Sequence, residues 1–235
     1  MRTLKVKTLL IQLSIIGYAA FIGGWIQNTF AASAVSFVGQ EGRMGTGRCE
    51  AASPDHVCLA LKYSVYRDHL GEPVVSQAEA FQNVREVDQV WSQCKIGFKI
   101  ESFVQVDPSE DQLNYRPADT GELDIIRRRL EDPEHLLVVT TGTWNRAGTL
   151  GSSPANAWTS MPGENLYGAI LEKPVGRFGN IIAHELGHYL NLDHVNDAQS
   201  LMNPVIYDHS TSLSREQCEN ARYAVRTYWQ KMIRN

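Results

Sequence analysis

The apolar residues of this chain recur with helical spacing in two segments that each begin with a capping box. Ser76 is followed three residues later by Glu79, a pattern in which the two side chains bond the free N–H groups of a new helix. Apolar residues then recur at helical intervals: Ala80, Val84, Val87 and Trp91. This pattern predicts a helix over 77–94. A second box, of the Ser-x-x-Gln form, opens at Ser214 and predicts a closing helix over 215–232.

Between these helices the chain alternates short β-prone runs with shorter helical ones. Aliphatic, β-branched and aromatic residues concentrate in four runs, which predict strands at 59–66, 97–106, 136–140 and 166–171. Two further segments are predicted as helices, at 121–130 and 178–190. The intervening segments are polar or rich in Gly and Pro and predict loops, at 107–121, 148–163 and 191–213. The alternation of strands and helices indicates a mixed α/β fold.

Composition narrows the class of protein. The chain has 235 residues, of which 43% are hydrophobic and 20% charged. These values are typical of a globular domain with a real core, and they exclude a disordered or fibrous chain. The formal net charge is -4, and no basic stripe interrupts the sequence. Nucleic acid is therefore not an expected partner.

The first 34 residues have the pattern of an export signal. Arg2, Lys5 and Lys7 precede an apolar run over 8–26, and Ala32-Ser33-Ala34 offers small residues at a cleavage site. We predict a signal peptide over 1–34 and a single domain over 35–235, secreted or periplasmic and without stable membrane association after cleavage. An uncleaved membrane anchor is the alternative, because the apolar run is long enough to span a bilayer.

The four cysteines all lie after the predicted signal peptide. An even number of cysteines in an exported chain indicates disulfides. We favour Cys49 with Cys58, which are close in sequence, and Cys94 with Cys218, which would join an early helix to a late one. Free buried thiols are the alternative, whereas a cysteine zinc site lacks the usual C-x-x-C pair.

The chemistry concentrates in the predicted helix at 178–190. His184 and His188 are four residues apart, so they lie on one helix face and can reach one metal ion, with Glu185 beside them. A catalytic zinc takes three protein ligands and keeps one position for water. His194 is the natural third ligand if the chain turns back after the helix. Asn191 stands where that turn is needed, and asparagine tolerates the left-handed conformation.

At this point the sequence resembles a known clan. The run from His184 to His194 has the form H-E-x-x-H-x-x-N-x-x-H, and Met202 follows it in the sequence Met-Asn-Pro. The pattern H-E-x-x-H-x-x-G-x-x-H followed by a methionine turn marks the metzincin zinc peptidases. The Met-x-Pro form, completed by Pro204, is most similar to the matrixin branch. Asn191 in place of glycine is a departure from the pattern.

The resemblance implies a fold and an activity. The fold is a twisted mixed sheet, mostly parallel with one antiparallel edge strand, with an early helix, the zinc helix and a small C-terminal subdomain that ends in a helix. The activity is endopeptidase cleavage of a protein or peptide, in which one zinc ion activates a water and Glu185 acts as general base. Met202 would form an apolar floor under the histidines. A monomer is expected, and calcium has no support in the sequence.

The resemblance also implies where the substrate lies. We expect the antiparallel edge strand at 167–171, with Tyr167, Gly168 and Ala169 bordering a substrate that adds to the sheet as a further strand. Tyr207, five residues after Met202, is a candidate for the substrate pocket, although packing in the core or on the surface is the favoured role for it.

Two alternatives stay open. In a zinc hydrolase of the thermolysin type the third ligand would be an acidic residue about 20 positions after the second histidine, where this chain has Asp208. The other is a secreted, zinc-stabilised binding module or an inactive peptidase relative. Glu185 argues against this second alternative, because a structural zinc site has no use for a base beside an open position.

Overall fold

A mixed sheet carries the fold in the computed structural model, which describes residues 49, 55–163 and 166–234. The described strands have the order β2-β1-β3-β5-β4, and β6 pairs with the start of β1. Their bounds are β1 Val57–Tyr66, β2 Ile96–Val106, β3 Leu136–Thr140, β4 Ala157–Thr159, β5 Ala169–Leu171 and β6 Ile233–Arg234. The predicted signal peptide at 1–34 lies outside the described residues.

The sheet is mostly parallel, as predicted. β1 is parallel to both β2 and β3, and β3 is parallel to β5. β4 is antiparallel to β5 and forms an edge of the sheet. The predicted fold class is therefore confirmed.

The predicted position of the edge strand is wrong. The segment 167–171 contains β5, which pairs with β3 on one side and with β4 on the other, so it is internal. The edge strand is β4, inside a segment whose Gly, Ser and Pro content predicted only loop. Three residues are too few to show a β pattern in sequence, and their pairing with Ala169 to Leu171 is a tertiary contact.

Four helices accompany the sheet in the described part of the chain: α1 Gln77–Trp91, α2 Thr120–Leu130, α3 Gly179–Tyr189 and α4 Arg215–Tyr228. Both predicted capping boxes are present, at Ser76 and Ser214. α1 and α4 end earlier than predicted, because a short 3-10 turn follows each of them, over 92–94 and 230–232.

The crossovers place helices on both faces of the sheet. The chain moves from β1 to β2 through α1, and back past β1 to β3 through α2. Since parallel crossovers are right-handed, these opposite directions put α1 and α2 on opposite faces. β3 is accordingly buried along its whole length. α3 follows β5 and packs against α1, where Trp91 Nε1 donates to the carbonyl oxygen of Ala183 at 3.1 Å.

Two disulfides join the periphery to this core. Cys49 pairs with Cys58 at the start of β1, and Cys94 pairs with Cys218 of α4. Both favoured pairings are confirmed. None of the described helices is long and apolar enough to cross a membrane.

Candidate metal centre

The end of α3 makes the turn that the third histidine needs. Asn191 has φ 63°, the left-handed conformation expected from the sequence. Asn191 N donates to His188 O at 3.0 Å, and Leu192 N donates to Gly187 O at 3.0 Å. These are the two hydrogen bonds of a Schellman motif, which ends a helix and reverses the chain. His194 is thereby carried back towards α3 instead of away along the helix axis.

The three predicted ligands converge. The Nε2 atoms of His184, His188 and His194 are each 3.2 Å from the other two. Nitrogen ligands about 2.0–2.1 Å from a tetrahedral zinc would be about 3.4 Å apart, so the triangle fits such an ion closely. In the described residues no other group of histidine, cysteine or carboxylate side chains has metal-binding spacing. Asp208, the rival third ligand, is not part of this group.

Backbone carbonyls fix which nitrogen faces the centre in two of the rings, those of His184 and His188. His184 Nδ1 lies 2.7 Å from Leu201 O, and His188 Nδ1 lies 2.8 Å from Leu192 O. A carbonyl oxygen only accepts hydrogen bonds, so Nδ1 carries the proton in both rings and Nε2 presents a lone pair. Lone pairs 3.2 Å apart repel unless a cation lies between them. The donor set therefore fits a metal ion.

Burial keeps these rings neutral. It lowers the pKa of His184 to about 4, with smaller effects of the other two histidines, and it lowers the pKa of His188 as well. Neutral imidazole is the form that binds metal. His184 is only 3% exposed, whereas His194 is on the surface, so the site is open on the His194 side.

Met202 packs against α3, the helix that carries His184 and His188. Its side chain is fully buried, and its backbone oxygen accepts from Val195 N at 2.9 Å, which joins the two ends of the loop that carries His194. Gly187, on α3, makes room for it. A Cβ at Gly187 would be 3.0 Å from Met202 Cε and closer still to Sδ. Pro204 follows in the exposed part of the same turn.

Glu185, the residue after His184 on α3, is buried away from water. Its side chain is 5% exposed, and Thr159 Oγ1 of β4 donates a hydrogen bond to Glu185 Oε2. Burial raises the pKa of Glu185 to about 7, while the Thr159 hydroxyl and the charge of Arg127 act in the opposite direction. No sequence pattern pointed to Thr159. Because it is 26 residues from Glu185 and stands in a predicted loop, nothing local in the sequence indicated the contact.

The remaining candidates make contacts with residues other than the three histidines. Tyr207 is 46% exposed, and its carbonyl oxygen accepts from Asn180 Nδ2 at 3.1 Å, which ties the loop after Met202 to the start of α3. Tyr167 packs edge-on against Trp229 with ring centroids 4.8 Å apart. Gly168 and Ala169 lie at the start of internal strand β5, and Gly168 O accepts from Arg127 Nε at 2.9 Å.

Comparison with known proteins identifies a family for the chain. The family model for matrixin matches residues 59–222, which is well over half of the chain. Among solved structures, the chain is similar to metalloproteinase-II from Bacteroides fragilis, with 15% sequence identity and a TM-score of 0.49. That match covers 76% of this chain and 60% of the other, so the chain spans less than two thirds of that protein. The search of curated proteins found no match.

The matched residues contain the whole centre, from Thr159 of β4 to the loop that carries Met202. Three imidazole nitrogens that converge on one point match the ligand set of a catalytic zinc site. The chain belongs to the matrixin family.

Proposed function

We propose that the chain is an exported zinc endopeptidase in which Glu185 is the general base. The observation that carries the proposal is the triangle of Nε2 atoms together with a buried carboxylate on the residue that follows His184 in the same helix. His184, His188 and His194 would hold the ion. Bound zinc would supply Lewis-acid chemistry at the scissile carbonyl and make a water more acidic.

The residues of the chain move the proton. Glu185 has one carboxylate oxygen engaged by Thr159, which leaves the other free to accept a proton from the attacking water. The same oxygen then donates that proton to the leaving amine. A base with a pKa near the working pH can do both, and burial brings Glu185 into that range. The positive charge of an ion in the site would favour its carboxylate form.

The substrate binds as an extended strand in this proposal. Among the described residues, β4 pairs only with β5, so its other edge has free backbone N–H and C=O groups. A peptide that pairs with this edge runs past Thr159 and therefore past Glu185. Tyr207 would border the bound peptide from the loop after Met202.

Export and a monomeric state belong to the same proposal. Two disulfides form only where the surroundings are oxidising, which suits a chain cleaved after its export signal at 1–34. N-terminal sequencing of the exported product and its mass in solution test these two points. A product that still begins at Met1, or a mass of two chains, would contradict them.

The activity is tested with the full chain produced in an oxidising compartment. We expect about one zinc per chain, cleavage of an unfolded protein that a chelator abolishes, and restoration by added zinc. Glu185→Gln should keep the zinc and lose at least about 100-fold in turnover. Glu216→Gln, an exposed glutamate of α4, is the matched control and should behave as wild type.

The outcomes separate the alternatives. Zinc binding without cleavage of any unfolded substrate would favour a zinc-stabilised binding module. Cleavage that survives Glu185→Gln would refute the role of Glu185 as general base. The absence of zinc from the purified chain would refute the proposed function as a whole.

A further inference from the structure

We propose that Thr159 is a positioning residue for the general base, and that its hydroxyl sets which oxygen of Glu185 faces the attacking water. The inference rests on the proposed function, because it assigns a role in that reaction. Among the described residues, the Thr159 hydroxyl is the only hydrogen-bond donor that meets the Glu185 carboxylate. A carboxylate with a single donor has its rotation fixed by that donor.

The contact requires that β4 presents Thr159 to α3. Side chains alternate along a strand, so Thr159 points to the face that carries Glu185 and Trp158 points to the opposite face. Thr159 pairs with Ala169 of β5, and this pairing fixes the position of Thr159 along the strand direction. The strand immediately before it is also anchored, because Trp158 O accepts from Arg127 Nη2 at 2.8 Å. The Thr159 hydroxyl therefore belongs to a strand that is held in place by β5 and by Arg127.

The direction of the hydrogen bond decides where the proton can go. Thr159 Oγ1 donates to Oε2, so that oxygen is occupied as an acceptor. The proton from water then goes to Oε1, the oxygen that Thr159 leaves free, and from there to the amine. Without the donor, the carboxyl group could turn and take the proton on an oxygen that faces away from the substrate.

Thr159 also lies in the strand along which the proposed substrate pairs. Its side chain holds the base while its backbone belongs to the free edge of β4. One residue thus connects the position of the bound peptide with the position of the base. Substrate binding and base orientation are separable in experiment, because the first uses the backbone and the second the hydroxyl.

The test compares Thr159→Val, Thr159→Ser and the control Thr227→Val in the full, disulfide-bonded, zinc-loaded chain. Valine keeps the shape and suits a strand but lacks the donor, whereas serine keeps the donor. Thr227 is exposed on α4 and bonds only within its own helix. We expect Thr159→Val to lower kcat by about 10- to 100-fold, part of what a general base contributes, with KM within about threefold.

Thr159→Ser should recover most of kcat, and zinc content should equal that of wild type in all variants. A kcat for Thr159→Val within about twofold of wild type would overturn the proposal. So would a serine variant as slow as the valine variant, since that would show a role of the methyl group. A rise in KM alone would mean that Thr159 serves only the strand edge.

A second readout keeps the inference separate from the proposed function. Acetohydroxamate binds zinc and places a hydroxyl proton next to a neighbouring carboxylate, so its Kd reports the orientation of Glu185 without turnover. We expect Thr159→Val to weaken it about tenfold, and Thr159→Ser and Thr227→Val to leave it unchanged. If wild type cleaves nothing but this pattern appears, the proposed function fails and the positioning role stands. Equal Kd values would overturn the positioning role.

Discussion

Gly187 and Met202 are in contact so close that no other residue than glycine fits the helix position without a shift. A Cβ at Gly187 would meet both Sδ and Cε of Met202, with Trp91 Cζ2 at 3.6 Å behind them. Met202 is fully buried and lies in the loop that returns from His194. The glycine in the middle of the metal helix therefore leaves the space that the buried end of the Met202 side chain fills.

Replacing this glycine should displace the turn. Gly187→Ala gains helix propensity of about 1 kcal/mol, but overpacking costs about 1–3 kcal/mol, so a net destabilisation and a weaker zinc affinity are expected. Thermal unfolding and zinc titration measure the two effects. Gly121→Ala is the matched control, because that glycine lies in the first turn of α2 and the nearest atom to a Cβ there is the side-chain oxygen Oδ1 of Asp119, at 3.1 Å. The double variant with Met202→Ala should recover part of the loss, and full additivity would contradict the contact.

Replacing His194, the exposed ligand, should weaken zinc binding without destabilising the metal-free protein. His194 is on the surface, whereas His184 is 3% exposed and bonded to Leu201 O. We expect His194→Ala to bind zinc far more weakly than wild type. Without metal, the variant should be as stable as metal-free wild type. Zinc at about 1,000 times its Kd stabilises a protein by about 4 kcal/mol. A chelator should therefore lower the Tm of wild type and leave the Tm of His194→Ala unchanged.

The turn at Asn191 should tolerate glycine and reject β-branched residues. The left-handed conformation costs an ordinary residue about 1–2 kcal/mol, a cost that glycine does not have. Asn191→Gly should match or exceed wild-type stability. Asn191→Val should lose stability and also zinc affinity, because His194 follows directly from this turn. Denaturant unfolding with and without zinc checks both, and equal behaviour of the two variants would contradict the role of φ.

The two disulfides should contribute different amounts to the free energy of unfolding. Cys94–Cys218 closes a loop with a sequence separation of 124, against 9 for Cys49–Cys58. In the chain-entropy view the longer loop is worth about 4–5 kcal/mol and the shorter one about 2–3 kcal/mol. Replacing each pair with alanine and measuring denaturant unfolding tests the order. A larger loss on removing the short loop would contradict it.

Much of the metal centre could be predicted from the sequence, because its signals are local. His184, Glu185 and His188 lie within five residues of one helix, and Asn191 carries its backbone preference in its own side chain. The capping box at Ser76 is equally local and is present.

The rest depends on contacts between segments that are far apart in the chain. β4 has only three residues, and its identity as a strand comes from pairing with β5. For the same reason the edge strand was placed one strand too far along the chain. Thr159 meets Glu185 only after this pairing forms, so no pattern near either residue could reveal their contact.

Arg127 of α2 holds the edge strand β4 in place. The guanidinium of Arg127 is buried, and it donates to Gly168 O and Trp158 O while it pairs with Asp124 at 2.7 Å. Lysine has one donor group instead of a fork, so Arg127→Lys leaves at least one buried carbonyl unsatisfied, at about 1–3 kcal/mol. β4 should then lose its fixed position.

In the proposed function, a loosened β4 affects the binding of extended peptides before it affects the chemical step. We expect Arg127→Lys to lower the Tm and to raise KM for long peptides more than it lowers kcat. Arg128→Lys, at the exposed neighbouring position on α2, should change neither. Thr159→Val is expected to do the opposite, with a loss in kcat and little change in KM. Arg127→Lys and Thr159→Val should therefore change different kinetic constants. If both changed the same constant, it would be wrong to assign peptide binding to β4 and orientation of the base to the Thr159 hydroxyl.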